Sequence, residues 1–192
     1  MEEELYSFVF RGLLTEEALD KSGRINPYTM SSVLEKDVAE RLPLDLLDEV
    51  LVGRAKRMAT VYTAIAAFEN SVREFVSKRL LEEIGEDWWE SSVSDKITRR
   101  AESRRDEENK IRWHTPRGDA PINYTEFGDL VSIINQNWAL FEDHLQSLDW
   151  VRQIVVTLER SRNVIMHSGE LSNEDIERIG TSMRDWIKQV GA

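Results

Sequence analysis

Cysteine is absent from the 192 residues, which excludes a disulfide framework and thiol catalysis. Histidine is scarce. His114, His144 and His167 lie far apart and lack metal-ligand spacing, so neither a metal nor another cofactor is expected. No apolar run approaches the roughly 20 residues of a membrane-spanning helix, so no membrane partner is expected. The opening Met1-Glu2-Glu3-Glu4 is acidic where a secretory signal carries a basic region, which points to the cytoplasm. Positive charge is in deficit: 25 Lys and Arg stand against 36 Asp and Glu, a net charge of −11. That balance is awkward for a nucleic-acid binder, because phosphate contacts reward Lys and Arg.

Apolar residues at helical spacing are plentiful. The pattern is all-α, with no strand alternation and enough chain for one sizeable core. Residues 1–20 carry Leu5, Phe8, Val9 and Leu13 as a short acidic helix. Asn26-Pro27 is a break, and 29–41 carry Met30, Val33, Leu34 and Val38. Residues 1–42 therefore read as an N-terminal helical extension and 43–192 as the main helical domain. Pro43 is placed to open a long helix to about 83, with Gly53 as a candidate break. Its stripe runs through Met58, Val61, Tyr62, Ile65, Phe68, Val72, Phe75, Val76 and Leu80. Glu69 and Arg73 lie four apart on it, either as a surface ion pair or as part of a cleft.

Trp88-Trp89 read as core or interface anchors. A charged helix covers about 92–112, and 113–123 form a loop rich in Pro and Gly. Thr125 is placed to cap a helix to about 136 carrying Leu130, Ile133 and Ile134. Ser172 with Asp175 predicts a capping box, and the last helix to about 189 carries Ile176, Ile179, Met183, Trp186, Ile187 and Val190.

The chemistry concentrates in Arg162-Asn163-Val164-Ile165-Met166-His167-Ser168-Gly169. Val151, Val155, Leu158, Arg162 and Ile165 form an apolar stripe with one Arg inside it, so Arg162 belongs at or beside a packing surface. Asn163 and His167 share a face, and Gly169 reads as the residue just past the helix end. A fixed cation, an amide and a proton carrier suit phosphate chemistry without a metal. The bland alternative is a structural Arg and a capping His. Residues 95–117 hold Lys96, Arg99, Arg100, Arg104, Arg105, Lys110, Arg112 and Arg117 against five acids, a local surplus of +3. They form either a solvated helix laced with i,i+4 pairs or a basic flap.

The pattern Arg-Asn-x-x-x-His late in an all-helical domain resembles the signature of the HEPN superfamily. Upstream, Phe68-Glu69-Asn70-Ser71-Val72-Arg73, Trp88-Trp89, Asn123-Tyr124-Thr125-Glu126-Phe127-Gly128-Asp129-Leu130 and Asn137-Trp138-x-x-Phe141 follow in order. Together they resemble a HEPN branch named for a eukaryotic nuclear mRNA-surveillance endonuclease and widespread in prokaryotic conflict systems. The resemblance covers about 55–190 and implies an all-α HEPN-like bundle. It implies a metal-independent endoribonuclease acting as a homodimer on RNA, with an antitoxin or defence-system protein as a further partner. Arg162 would hold the scissile phosphate, His167 would transfer protons and Asn163 would orient the site. Arg99, Arg100, Arg104, Arg105 and Arg117 would bind RNA, with Glu69 and Arg73 supporting the cleft. One toxin branch carries a modifiable Tyr two residues after the His, where this chain has Gly169. The alternative function is a catalytically silent HEPN module that binds nucleotide, RNA or protein within a larger assembly.

Overall fold

The structure is a computed structural model that describes residues 11, 12, 14, 15, 18, 19 and 36–191. Among them every regular element is a helix and there is no strand. The chain divides into two compact units, Met1–Val52 and Gly53–Ala192. The expected features at Leu5, Phe8, Val9, Leu13, Asn26-Pro27, Met30, Val33 and Leu34 lie outside the described residues.

In the first unit, residues 36–41 are helical. The exposed pairs Lys36–Glu40 and Arg41–Asp37, at 4.0 and 3.0 Å, span single turns. Pro43 opens only a 3-10 turn, Leu44–Leu46, because the chain is extended again at Leu47. Helix α1 spans Glu49–Ile84. Asp48 caps it, its Oδ1 accepting the backbone N–H groups of Val50 and Leu51 at 2.9 and 3.1 Å. Gly53 does not divide it. A single exposed glycine costs a helix about 1 kcal/mol, which the buried row further along outweighs.

In the second unit, α1 is followed by α2 (Trp88–Ser92), α3 (Asp95–Asn109), a 3-10 turn (Pro121–Tyr124) and α4 (Phe127–Gln136). A 3-10 turn (Trp138–Leu140), α5 (Leu148–Met166) and α6 (Asn173–Val190) complete it. The buried row of α1 is Met58, Val61, Ile65, Phe68, Glu69, Val72, Val76 and Leu80. Its apolar members belong to one core with Phe127, Leu130, Ile133 and Ile134 of α4 and Val151, Ile154, Val155 and Leu158 of α5. Ile97 and Ala101 of α3 and Ile179 and Trp186 of α6 join them. Full burial of each large side chain is worth about 1.5–3 kcal/mol. Trp186 stacks flat on Trp150, centroids 5.6 Å apart, and meets Phe68 and Phe75 edge-on. Trp89 is a core residue and Trp88 packs against the core.

Three helix ends differ from the sequence expectation or sharpen it. Glu126, not Thr125, caps α4, in a reciprocal box with Asp129. The Thr125 hydroxyl is committed to the Ile122 carbonyl at 2.7 Å, closing the preceding 3-10 turn. Ser172 caps α6 through the Asp175 N–H at 3.1 Å, as the sequence predicts. At the end of α5 the left-handed residue is Ser168, φ 60°, not Gly169. Ser168 N–H donates to Ile165 O at 2.9 Å and Gly169 N–H to Val164 O at 2.8 Å, the paired bonds of a Schellman end. Gly169 therefore stands one place further on. Its own need is for space: an added Cβ would lie 2.9 Å from Val164 O and 2.7 Å from Val164 Cγ1.

Candidate functional site

Arg162 and Glu69 meet although neither helix alone requires it. The buried rows of α1 and α5 both face the core, and at this level α1 offers a carboxylate and α5 a guanidinium. Arg162 Nη1 donates to Glu69 Oε2 at 2.8 Å across 93 residues of sequence. Arg73, one turn along α1, donates to the other oxygen of Glu69 and, at 3.4 Å, to Thr125 O. The side chain of Glu69 is only 8% exposed, so its charge depends on these two partners. Arg73 Nη1 also donates to Asn70 Oδ1 at 2.9 Å, while its buried Nε has no partner among the described residues.

A second carboxylate–guanidinium cluster closes the neighbouring wall. Asp129, on the first turn of α4, is buried and accepts the Glu126 N–H at 3.1 Å. Arg104 of α3 reaches the Tyr124 carbonyl at 2.8 Å, Glu126 at 2.8 Å and Asp129 at 3.4 Å. Arg100 adds a 3.4 Å contact to Asp129. Beside them, Arg117 donates its backbone N–H and Nε to Glu108 and lies 5.8 Å over the Tyr124 ring. Desolvation works against the charge of Glu108. The Arg117 backbone N–H and then its guanidinium outweigh it and hold the carboxyl below its usual range.

Between these clusters opens a cleft of about 450 Å³. Its lining is Tyr62, Ala66, Glu69, Asn70, Arg73, Arg104, Arg117, Asn123, Thr125, Glu126, Arg162 and Met166. Of the residues singled out by sequence, Arg162, Glu69, Arg73, Arg104 and Arg117 converge here. Asn163 and His167 do not line it. Both are exposed on the last turns of α5, with His167 as the C-terminal cap. Arg99 folds back to Asp95 O at 3.1 Å, and Arg105 is exposed.

The sequence does not mark as site residues Glu126 and Tyr62, which line the cleft, or Asp129, which holds Arg104 in its wall. Asp129 and Glu126 carried a signal, three residues apart ahead of an apolar run, the mark of a capping box. Tyr62 fell in the apolar stripe but is 38% exposed. His144 packs edge-on against Phe75 at 6.1 Å, and His114 bonds Thr115 O at 2.9 Å. Among the described residues no group of three or more His, Asp or Glu is placed to hold a metal ion. None of their helices is long and apolar enough to cross a membrane.

A helical bundle whose late helix brings Arg162 to a polar cleft on the long helix is what the HEPN resemblance implies. The family model described as Swt1-like HEPN matches residues 63–191, more than half of the chain. The chain belongs to that family. No curated protein and no solved structure gives a match.

Proposed function

We propose that this protein is a metal-independent endoribonuclease acting as a homodimer, in toxin or antiviral defence. The observation that carries the reading is Arg162, held in a guanidinium-lined cleft by Glu69 and five residues before the exposed His167. The Glu69 contact uses Nη1, so Nε and Nη2 of Arg162 remain without a partner among the described residues. Those donors suit the non-bridging oxygens of a phosphodiester, whose negative charge grows in the transition state. The RNA 2′-oxygen forms the new bond to phosphorus and the bond to the 5′-oxygen breaks. His167 takes the 2′-hydroxyl proton or protonates the leaving oxygen, and Asn163 orients the backbone. The products are a 2′,3′-cyclic phosphate and a 5′-hydroxyl.

Pairing two copies would supply both an acid and a base. Val164, 39% exposed and three residues before His167, gives an apolar side chain suited to such pairing. RNA is the partner, with Arg99, Arg100, Arg104, Arg105 and Arg117 as its backbone contacts. A protein inhibitor or activator is a further partner. One observation favours the silent-module alternative: Arg73, Arg104, Arg117 and Arg162 all already face carboxylates.

RNA cleavage in EDTA separates the two. The wild type is expected to cleave and leave cyclic-phosphate ends. His167→Ala, an exposed change, is expected to abolish cleavage with unchanged melting. Full cleavage by that variant, or strict dependence on added magnesium or manganese, would overturn the assignment. A protein that remains monomeric while cleaving would overturn the shared site.

A further inference from the structure

Loop 110–118 carries a feature that the cleavage mechanism does not use. Trp113 is 86% exposed. An indole is among the largest apolar side chains, and such exposure is unusual for it. The loop that carries it is fastened at both ends. Ile111 N–H donates to Glu108 O at 2.9 Å and His114 N–H to Ile111 O at 3.2 Å. The carboxylate of Glu108 takes both the backbone N–H and Nε of Arg117. The Tyr124 hydroxyl donates to Gly118 O at 3.0 Å. His114 stands edge-on to the indole, centroids 5.7 Å apart. The fold therefore presents Trp113 on a braced turn.

The surroundings say what fits it. Residues 110–120, the loop between α3 and the next 3-10 turn, contain Lys110, Arg112 and Arg117 against Asp119 alone, with Glu108 of α3 paired to Arg117, in a chain whose net charge is −11. Arg117 also lines the cleft that holds Arg162. Four residues of extended chain reach at most about 14 Å, so Trp113 lies within that distance of the cleft rim along the backbone. A protein partner would need a broader apolar area, and only Ile111, 45% exposed, adds to it on this loop. A lone aromatic face among cations is the arrangement that binds single-stranded nucleic acid, because every base has a face to stack and every phosphate a charge to meet.

We propose that Trp113 is a stacking platform for an unpaired base of single-stranded RNA. The backbone of that strand passes Arg112 and Arg117 into the cleft. This rests on the RNA reading of the cleft and narrows it: the substrate is unpaired RNA at this point, and a continuous duplex is excluded from the loop.

The test is binding, kept apart from cleavage. The probe is a labelled, fully 2′-O-methylated single-stranded oligoribonucleotide, which can bind but offers no 2′-hydroxyl to attack. Trp113→Ala is expected to weaken its binding about tenfold, within the range for loss of one stacked base. Trp113→Phe is expected to restore most of the loss. Binding of a blunt duplex, or of a backbone lacking bases, is expected to be unchanged by either variant. Equal affinity of wild type and Trp113→Ala for the single strand overturns the proposal. So does an equal loss on the duplex, or a wild type that does not bind the probe at all. Cleavage of an unmodified RNA is read separately. A protein that cleaves but is indifferent to Trp113 sinks only this inference. One that binds through Trp113 but never cleaves sinks only the nuclease reading.

Discussion

The floor of the cleft and the outer face of α3 use the same residue type in opposite ways. On the floor, Arg162 and Arg73 share one carboxylate whose side chain is 8% exposed, and α1 and α5 fix the geometry. On the outer face of α3, Arg99 and Arg105 are exposed, and Trp113 stands in solvent on the loop that follows. A floor cation is already balanced, and its position is set by the fold. A cation on that exposed face has no carboxylate partner among the described residues and meets water and counterions instead. The contrast explains how an acidic chain can gather guanidinium groups in one cleft: the acids that lie near it act as struts for them.

The largest effect that separates the two regions is expected at Glu69. Glu69→Ala leaves Arg162 and Arg73 facing each other without their shared anion. It is expected to lower stability by about 3 kcal/mol, the scale for breaking a buried ion pair, seen as a drop in melting temperature. An unchanged melt would mean that the floor is not held by this network.

Arg104 and Arg105 sharpen the comparison within one helix. Arg104→Gln leaves Tyr124 O and Asp129 short of a partner and is expected to cost about 1–2 kcal/mol of stability in a denaturant titration. Arg99→Gln and Arg105→Gln are expected to cost less than about 0.5 kcal/mol. Instead, each is expected to flatten the slope of log affinity for single-stranded RNA against log salt by about 0.7. A stability loss at Arg105, or an unchanged slope, would make this face of α3 an ordinary solvated helix.

The smallest effect is expected at Glu108. Its carboxyl in the folded protein lies below its usual range, so the bridge to Arg117 contributes to stability above the unfolded pKa of about 4.3. That contribution is lost as pH falls through the lower folded value. The Arg117 amide proton, followed by NMR from neutral to acid pH, is expected to titrate below the ordinary carboxylate range. In Glu108→Gln that step is expected to vanish. Titration at the usual carboxylate pH would show that the loop is not braced there.

Much of the helical order was legible in the sequence, because burial on one side leaves a period that composition alone does not. The rows of α1 and α5 and the Ser172 cap are cases of this. Less legible were features set by competition for a hydrogen bond. Thr125 is a good cap by type, yet its hydroxyl serves Ile122 and the role passes to Glu126. Gly169 looked like the left-handed residue, yet Ser168 takes that conformation and Gly169 answers to the crowding at Val164. The spacing of α5 placed Arg162 at a packing surface but could not name its partner, because no local period reports a contact across 93 residues. Asn163 and His167 were expected to border one site with Arg162. They share its helix and lie outside the cleft of the single chain.

The separation of Glu69 from Arg162 also has a consequence for synthesis. A ribosome delivers α1 before the last turns of α5, and the unit that holds both cannot close its core until both have emerged. Until residue 162 is free, Glu69 can pair only with Arg73, and no guanidinium from α5 stands in the cleft. Nascent chains and fragments cut before α5 therefore lack the residue on which the phosphate reading depends. Cleavage of the kind proposed would therefore wait for the emergence of α5.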